Sequence, residues 1–381
     1  MLQKKLVRSS TPRKKKVALK LPRLARIKRK IAPQIPAKKF RSIQKHGDNP
    51  IIEPRPDRKW ESKATFNPGV VCLDGKVHIL YRAIGDNDVS VLGYAVSSDG
   101  FTIEDRADEP AYTAEVEHKG AELREIPRAV YASGGGWNGG CEDPRLTQIG
   151  GKVHLLYTAF DGWGSIRIAL SSISIQDFLA RKWNWKKPVL ISPSGEIHKN
   201  WVLFPEKIGG KYAILHSISP DILIDFLENL DELDGKAKVV TSRYGSGTER
   251  KGAWDNWIRG AGPPPIKTDE GWLLLYHAMD KRDPGRYKLG AMMLDPNDPT
   301  KVLYRSRHPI LEPDEYYENH GFKGGVVYSC GASVVGGNLF VYYGGADTVV
   351  CVASADLKSF LGELKVGDTP RLRVKPMGSH V

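Results

Sequence analysis

No acidic residue occurs in the first 45 positions of this 381-residue chain, which carry 17 Lys and Arg. That segment alone produces the formal charge of +13, because residues 46–381 hold 57 − 17 = 40 basic and 44 acidic side chains, a net of −4. The basicity is thus a tail and not a property of the body. A like-charge block broken by prolines repels itself and stays solvated. The stretch 11–39, TPRKKKVALKLPRLARIKRKIAPQIPAKK, interleaves no aromatic residue for base stacking. Contact with nucleic acid or an anionic surface is one reading of it, a solubilising extension the other, and the missing aromatics favour the second. Cysteine is also scarce. Cys72, Cys141, Cys330 and Cys351 lie far apart without CxxC spacing, which excludes a zinc-ribbon type of metal site and points to packed thiols in a reduced, cytoplasmic protein. No apolar run is long enough to span a bilayer, and no apolar core follows the basic start, which excludes an ordinary secretory signal. Helical periodicity is weak almost throughout, which argues against a helical body.

What is present is a repeat. LDGKVHILYRA (73–83), IGGKVHLLYTA (149–159), IGGKYAILHSI (208–218), DEGWLLLYHAM (269–279) and VGGNLFVYYGG (335–345) each place a turn before an apolar, β-rich run ending in aromatics or His. A second strand follows in VLGYAVSSDG, IRIALSSIS, YKLGAMMLD and VVCVASAD, while DILIDFLEN in the third copy fits less well. A spacing of about 60 to 75 residues is the scale of a four-stranded propeller blade with insertions. The expected fold class is all-β, a five-bladed β-propeller with a central-channel site. Residues 1–45 form the tail, 46–362 the propeller and 363–381 a C-terminal extension. Counting six residues from the last turn position aligns Arg82, Thr158, Ser217, His277 and Gly344, and counting nine back aligns Asn67 with Asp143. Equivalent repeat positions sit at equivalent radius and height, so Asn67, Arg82, Asp143, Asn200 and His277 are expected to ring one polar mouth.

With FNPG (66–69), LYRA (80–83), EDPRL (142–146), YTAFDG (157–162), NWVLFPEKI (200–208), GAGPPPIKT (260–268), YKLGA (287–291), DPTKVLYR (298–305) and YYGGADT (342–348), residues 46–357 resemble glycoside hydrolase family 130. The resemblance implies a five-bladed propeller that cleaves terminal β-mannosidic bonds with inversion. It implies Asp143 as general acid, protonating the glycosidic oxygen through a hydroxyl of the bound mannose. It also implies sugar contacts at Asn67, Arg82, Asn200 and Asp347, with Tyr287 nearby. Asp161 joins Asn67 and its neighbours as a candidate substrate contact. A general acid must hold its proton at working pH, so Glu142 and Asp161 are expected to raise the pKa of Asp143, and Pro144 to bias Asp143 toward an extended backbone. Glu142 and Arg145 read as a mutual ion pair. Trp163, Trp254 and Trp257 read equally as sugar platforms or as packing.

The nucleophile is the open point. Members of the family that use phosphate commonly carry Arg where this chain has Lys199 and again where it has Ser217. They also carry a Lys for which Arg259 is an offset substitute, and a His matched by His277. With this reduced cationic set, the expectation is a β-mannosidase-like hydrolase of manno-oligosaccharides, with Glu249 as candidate base in SGTERKGAWDNWIRGAG (246–262). The alternative is a β-mannoside phosphorylase that holds phosphate on Lys199, Arg259 and His277 and releases mannose 1-phosphate. A non-catalytic binding propeller is a distant third. No cofactor or metal is expected beyond phosphate as co-substrate, and a homo-oligomer is compatible with the sequence.

Overall fold

Turn chemistry lays out the strands. The structure, a computed structural model, describes residues 41–113, 139–160, 166–194, 197–235, 248 and 250–368. A short strand β1 (Gln44–Lys45) precedes the first antiparallel unit, β2 (Ala64–Leu73), β3 (Lys76–Ile84), β4 (Ser90–Ser97) and β5 (Asp105–Arg106). The second unit is β6 (Gly140–Ile149), β7 (Lys152–Phe160), β8 (Ile166–Ser174) and β9 (Val189–Leu190), with helix α1 (Ile175–Leu179) between the last two. The third is β10 (Val202–Leu203), β11 (Tyr212–Ser217) and β12 (Leu223–Leu227), so the poorly matching DILIDFLEN does supply a strand. The fourth is β13 (Trp257–Ala261), β14 (Ile266–Thr268), β15 (Gly271–Asp280), β16 (Asp283–Leu294) and β17 (Val302–Arg305). After α2 (Tyr316–Asn319) comes the fifth, β18 (Val327–Val335), β19 (Asn338–Gly345) and β20 (Val349–Asp356), followed by α3 (Leu357–Asp368).

Asp74-Gly75, Gly150-Gly151, Gly209-Gly210 and Gly336-Gly337 all have positive φ at both positions, the requirement of a two-residue type I′ hairpin. The fourth unit turns on Asp269-Glu270 instead, between the paired Thr268 and Gly271, without left-handed residues. A parallel pairing of Ser90 with Gly140 joins the first two units into one sheet, and the others remain separate sheets.

Strands buried on both faces carry the core. Along β19, Leu339, Val341 and Tyr343 pack toward the fourth unit, while Phe340 and Tyr342 pack toward the first, which is the two-residue period of a strand. Among the described residues the five larger apolar clusters each bridge two units: first to second, second to third, third to fourth, fourth to fifth, and fifth back to first. Fully burying one such Leu, Val or Phe is worth about 1.5–3 kcal/mol, so the junctions between units hold most of the apolar stabilisation. Residues 44–45, assigned to the tail by sequence, pair with Ser354 and Ala353 of β20, and the backbone N–H groups of Arg41 and Ser42 donate to Glu363. Leu364 of α3 is fully buried in the junction of the fourth and fifth units. The body therefore starts before residue 46 and runs past residue 362, because hydrogen bonds and apolar burial continue through both edges.

Candidate active site

Four of the five units carry a shared backbone irregularity. Asn67 in β2, Asp143 in β6, Asn200 just before β10 and Asp347 just after β19 all have φ between 48° and 65°. Asn and Asp are the side chains that tolerate this left-handed region best. In β2 and β6 the pairing register shifts across the same step, from Phe66 to Gly69 and from Glu142 to Arg145. Such a bulge re-aims one side chain out of the strand alternation. Pro144 is expected to bias Asp143 toward an extended backbone, yet Asp143 sits at φ 53°, and Asn67 before Pro68 at φ 48°. The bulge imposes that conformation at a strain of about 1–3 kcal/mol, a cost that clusters at functional positions. Close approach is preserved by glycine: a Cβ on Gly260 would lie 2.5 Å from Asn200 Nδ2, and one on Gly344 2.3 Å from Asn67 Oδ1.

These side chains meet. Asn67 Nδ2 donates to Asp143 Oδ1 at 2.8 Å, and Arg82 Nη1 reaches the same oxygen at 3.3 Å. Arg82 Nη2 donates to Glu142 Oε1 at 2.7 Å, and Lys199 Nζ lies 3.2 Å from Glu142 Oε2. Arg145 turns away from Glu142. It donates to the Asp143 carbonyl at 2.7 Å and to Asn200 Oδ1 at 2.8 Å, which replaces the expected Glu142–Arg145 pair. A buried guanidinium takes as many oxygen acceptors as the bulge presents, and here the bulged backbone carbonyl and Asn200 are nearer than the neighbouring carboxylate. Asn200 Nδ2 donates to the Arg259 carbonyl at 3.0 Å, and Arg259 Nε to Tyr287 Oη at 3.2 Å. Asp347 is buried and its charge acts on Arg82.

The electrostatics overturn one expectation. Burial pushes the Asp143 carboxyl up, but Arg82, Arg145 and Lys199 together with the Asn67 hydrogen bond outweigh it and hold the pKa down at about 2. Glu142 sits between Arg82 and Lys199, and the cations of this cluster set the net direction of the Asp143 shift. His277 is fully buried, stacked 3.9 Å from the Tyr328 ring, and its Nε2 accepts from the Ser329 N–H at 2.9 Å. Burial lowers its pKa to about 3, so it is neutral with its proton on Nδ1. His277 Nδ1 and Asn67 Oδ1 are buried without hydrogen-bond partners among the described residues. A buried polar atom left unpaired costs about 1–3 kcal/mol; a hydroxyl could donate to Asn67 Oδ1, and a hydroxyl or an oxyanion oxygen could accept from His277 Nδ1–H. Beside this cluster a cavity of about 100 Å³ is lined by Lys199, Asn200, His216, Ser217, Arg259 and Gly260.

The structure brings Asn67, Arg82, Asp143, Asn200 and Lys199 into one hydrogen-bonded group, connects Tyr287 and Arg259 to it through the Arg259 carbonyl, and buries His277 behind Tyr328. Asp161, Glu249 and Trp163 lie outside the described residues. Trp254 packs against the core between the third and fourth units and stacks on Tyr276, so it is no sugar platform. Trp257 is 37% exposed with the Arg259 guanidinium 4.8 Å from its ring. Asp255 is a buried partner of Arg250, Arg305 and Tyr276. Sequence reasoning missed Tyr328, which faces Gly344 across the ladder as Phe66 faces Arg82. Counting ten residues back from the turn, and not nine, would have aligned Tyr328 with Phe66 and Glu142. Among the described residues no group of His, Cys, Asp or Glu is arranged to hold a metal ion, and no helix is long and apolar enough to cross a membrane.

Known proteins resemble this chain over most of its length. Residues 42–365 match the glycoside hydrolase family 130 profile, described as beta-1,4-mannooligosaccharide phosphorylase. A 1,2-beta-oligomannan phosphorylase of Thermoanaerobacter sp. (strain X514) is 37% identical over 326 residues, 83% of this chain and 98% of that protein. The beta-1,2-mannobiose phosphorylase of Listeria innocua, solved with beta-1,2-mannobiose, superposes with a TM-score of 0.66 at 27% identity, covering 86% of this chain and 100% of that one. A second structure, at TM-score 0.67 and 26% identity over 85% of this chain and 96% of the other, is described as showing that the family of mannoside phosphorylases contains glycoside hydrolases that target beta-1,2 mannosidic linkages in Candida mannan.

Proposed function

The chain belongs to glycoside hydrolase family 130, and on that premise we propose that it is a β-mannoside phosphorylase acting on β-1,2-linked manno-oligosaccharides. The five units, with apolar junctions running from each to the next and from the fifth back to the first, support reading them as the five blades of a propeller. The observation that carries the choice of nucleophile is the small cavity beside Asn200, which Lys199 and Arg259 line with Ser217. Its volume is several times the roughly 10–15 Å³ that one water occupies, and its charged lining suits an oxyanion. The reduced cationic set that favoured a hydrolase is offset here, because two cations remain at the cavity and two relatives matched by sequence over 98% and 94% of their length are phosphorylases. Identities of 37% and 35% to a 1,2-beta-oligomannan phosphorylase and a beta-1,2-mannobiose phosphorylase support the β-1,2 linkage.

In this reading Asn67, Arg82 and Asp347 hold the terminal mannose. Asp143 supplies the proton that the glycosidic oxygen takes as its bond to the anomeric carbon breaks. A phosphate oxygen held at Lys199 and Arg259 forms the new bond to that carbon from the opposite face, giving α-mannose 1-phosphate and a shortened oligosaccharide. The test compares β-1,2- and β-1,4-mannobiose as phosphate is raised. The account expects turnover of the β-1,2 disaccharide that saturates with phosphate. Faster turnover of the β-1,4 disaccharide would contradict the linkage, and rates indifferent to phosphate would contradict the nucleophile.

A further inference from the structure

Four charges run in line from the cavity to the acid: Lys199, Glu142, Arg82 and Asp143. Glu142 gives one oxygen to Lys199 at 3.2 Å and the other to Arg82 at 2.7 Å, and Arg82 passes its second nitrogen to Asp143 at 3.3 Å. Glu142 and Arg82 are each 1% exposed, so their pairing is set inside the protein, while the Lys199 side chain is 23% exposed and faces the cavity. Lys199 is thus the one member of the chain that an incoming anion can engage without unpacking the core.

We propose that anion binding at Lys199 draws its ammonium from Glu142, and that the Glu142–Arg82 pair relays this change to Asp143 as uptake of the catalytic proton. This rests on the phosphorylase reading of the cavity. The physical steps are short. When Lys199 turns to the anion, Glu142 keeps only Arg82 and neutralises it more fully, so less of the guanidinium charge is left to stabilise ionised Asp143. The anion's own charge acts on Asp143 in the same direction. Without anion the cations hold Asp143 ionised, which suits no general acid; with it, the acid is charged with its proton only when the nucleophile is in place. Glu142 acts here through Arg82 as a positioning residue.

The groups around Asp143 fix what else titrates. Arg82 lies on β3, Arg145 on its own strand, Lys199 before β10, His277 on β15, Tyr328 and Cys330 on β18, and Asp347 beside Arg82. Burial keeps the Tyr328 hydroxyl and the Cys330 thiol protonated and His277 neutral between pH 5 and 7.5. His216 also lines the cavity.

The test titrates the full chain calorimetrically with inorganic phosphate, then with sulfate, which carries no titrating proton in this range, at several pH values from 5 to 7.5. For wild type, sulfate affinity is expected to rise by about threefold or more toward pH 5 beyond the rise shown by Asp143→Asn. Asp143→Ala serves as the second variant if the amide form melts early. Glu142→Gln, which frees Lys199, is expected to bind sulfate several-fold more tightly. Equal pH slopes in wild type and the Asp143 variants, or an affinity unchanged by Glu142→Gln, would overturn the relay. Failure of wild type to bind either anion would instead remove the phosphorylase reading beneath it.

Discussion

Asp143 shows how far single residues could be read. Its motif, EDPR, marked it as the acid, and the structure buries it among Asn67, Arg82 and Arg145. Its electrostatics were not legible, because which of four nearby charges reach it depends on a bulge that no sequence spacing encodes. Asp143→Asn keeps shape and loses the proton; we expect turnover of a β-mannoside to fall about 10²–10⁴-fold with the melting temperature little changed. Near-wild-type turnover would remove Asp143 from the role. His277 gives a second prediction. Its folded pKa of about 3 lies below the ordinary 6.5, so between those values the unfolded chain binds a proton that the folded chain refuses. The stability this neutral His contributes is present above pH 6.5 and is lost as pH falls toward 3. His277→Gln, which keeps an acceptor for the Ser329 N–H, should flatten the fall of melting temperature between pH 6.5 and 4. A fall as steep as in wild type would show that other groups dominate acid lability.

At the scale of elements, hairpins were legible and their fastenings were not. Asp-Gly and Gly-Gly pairs located four of the five turns because type I′ geometry requires positive φ at both positions. Three of the central strands, however, also share a buried tyrosine bonded to a buried carboxylate: Tyr81 to Glu61, Tyr276 to Asp255 and Tyr343 to Glu318. Each acid is answered by cations, Arg106 and Arg55 in the first case, Arg305 and Arg250 in the second, Lys45 in the third. The acids precede their tyrosines by 20, 21 and 25 residues, in loops of varying length, so no fixed spacing exposed them. Removing one partner from a buried ion network strands the rest, at a cost of about 3–5 kcal/mol. Asp255→Ala should therefore lower unfolding free energy in urea by roughly that amount, and Tyr276→Phe by only about 1–2 kcal/mol. Equal effects from the two would mean that the carboxylate is not the centre of the network.

For the whole molecule, the repeat was visible because apolar runs recur at regular intervals, but the way the ends join was not. Two residues of β1, too short to register as a strand, pair with β20, while Ile52 and β2 to β4 pack against Phe340 and Tyr342. A truncation that ends before residue 38 should leave phosphate-dependent activity and melting temperature unchanged. It should also abolish any salt-sensitive binding to DNA or anionic vesicles, since the remaining body is not basic. Extending the truncation through residue 52 removes β1, Ile43 and Ile52 and should lower the melting temperature by several degrees or more. Unchanged melting after the longer deletion would show that the fifth and first units hold together without that strand.

The central claim is that phosphate attacks the sugar, and ³¹P NMR of the enzyme with β-1,2-mannobiose in phosphate buffer observes it directly. The account predicts that the inorganic phosphate resonance declines while that of α-mannose 1-phosphate grows in step with liberated mannose, and that the Lys199→Met variant slows this chiefly through a higher KM for phosphate. Release of two mannose molecules per disaccharide with the phosphate resonance unchanged would contradict it.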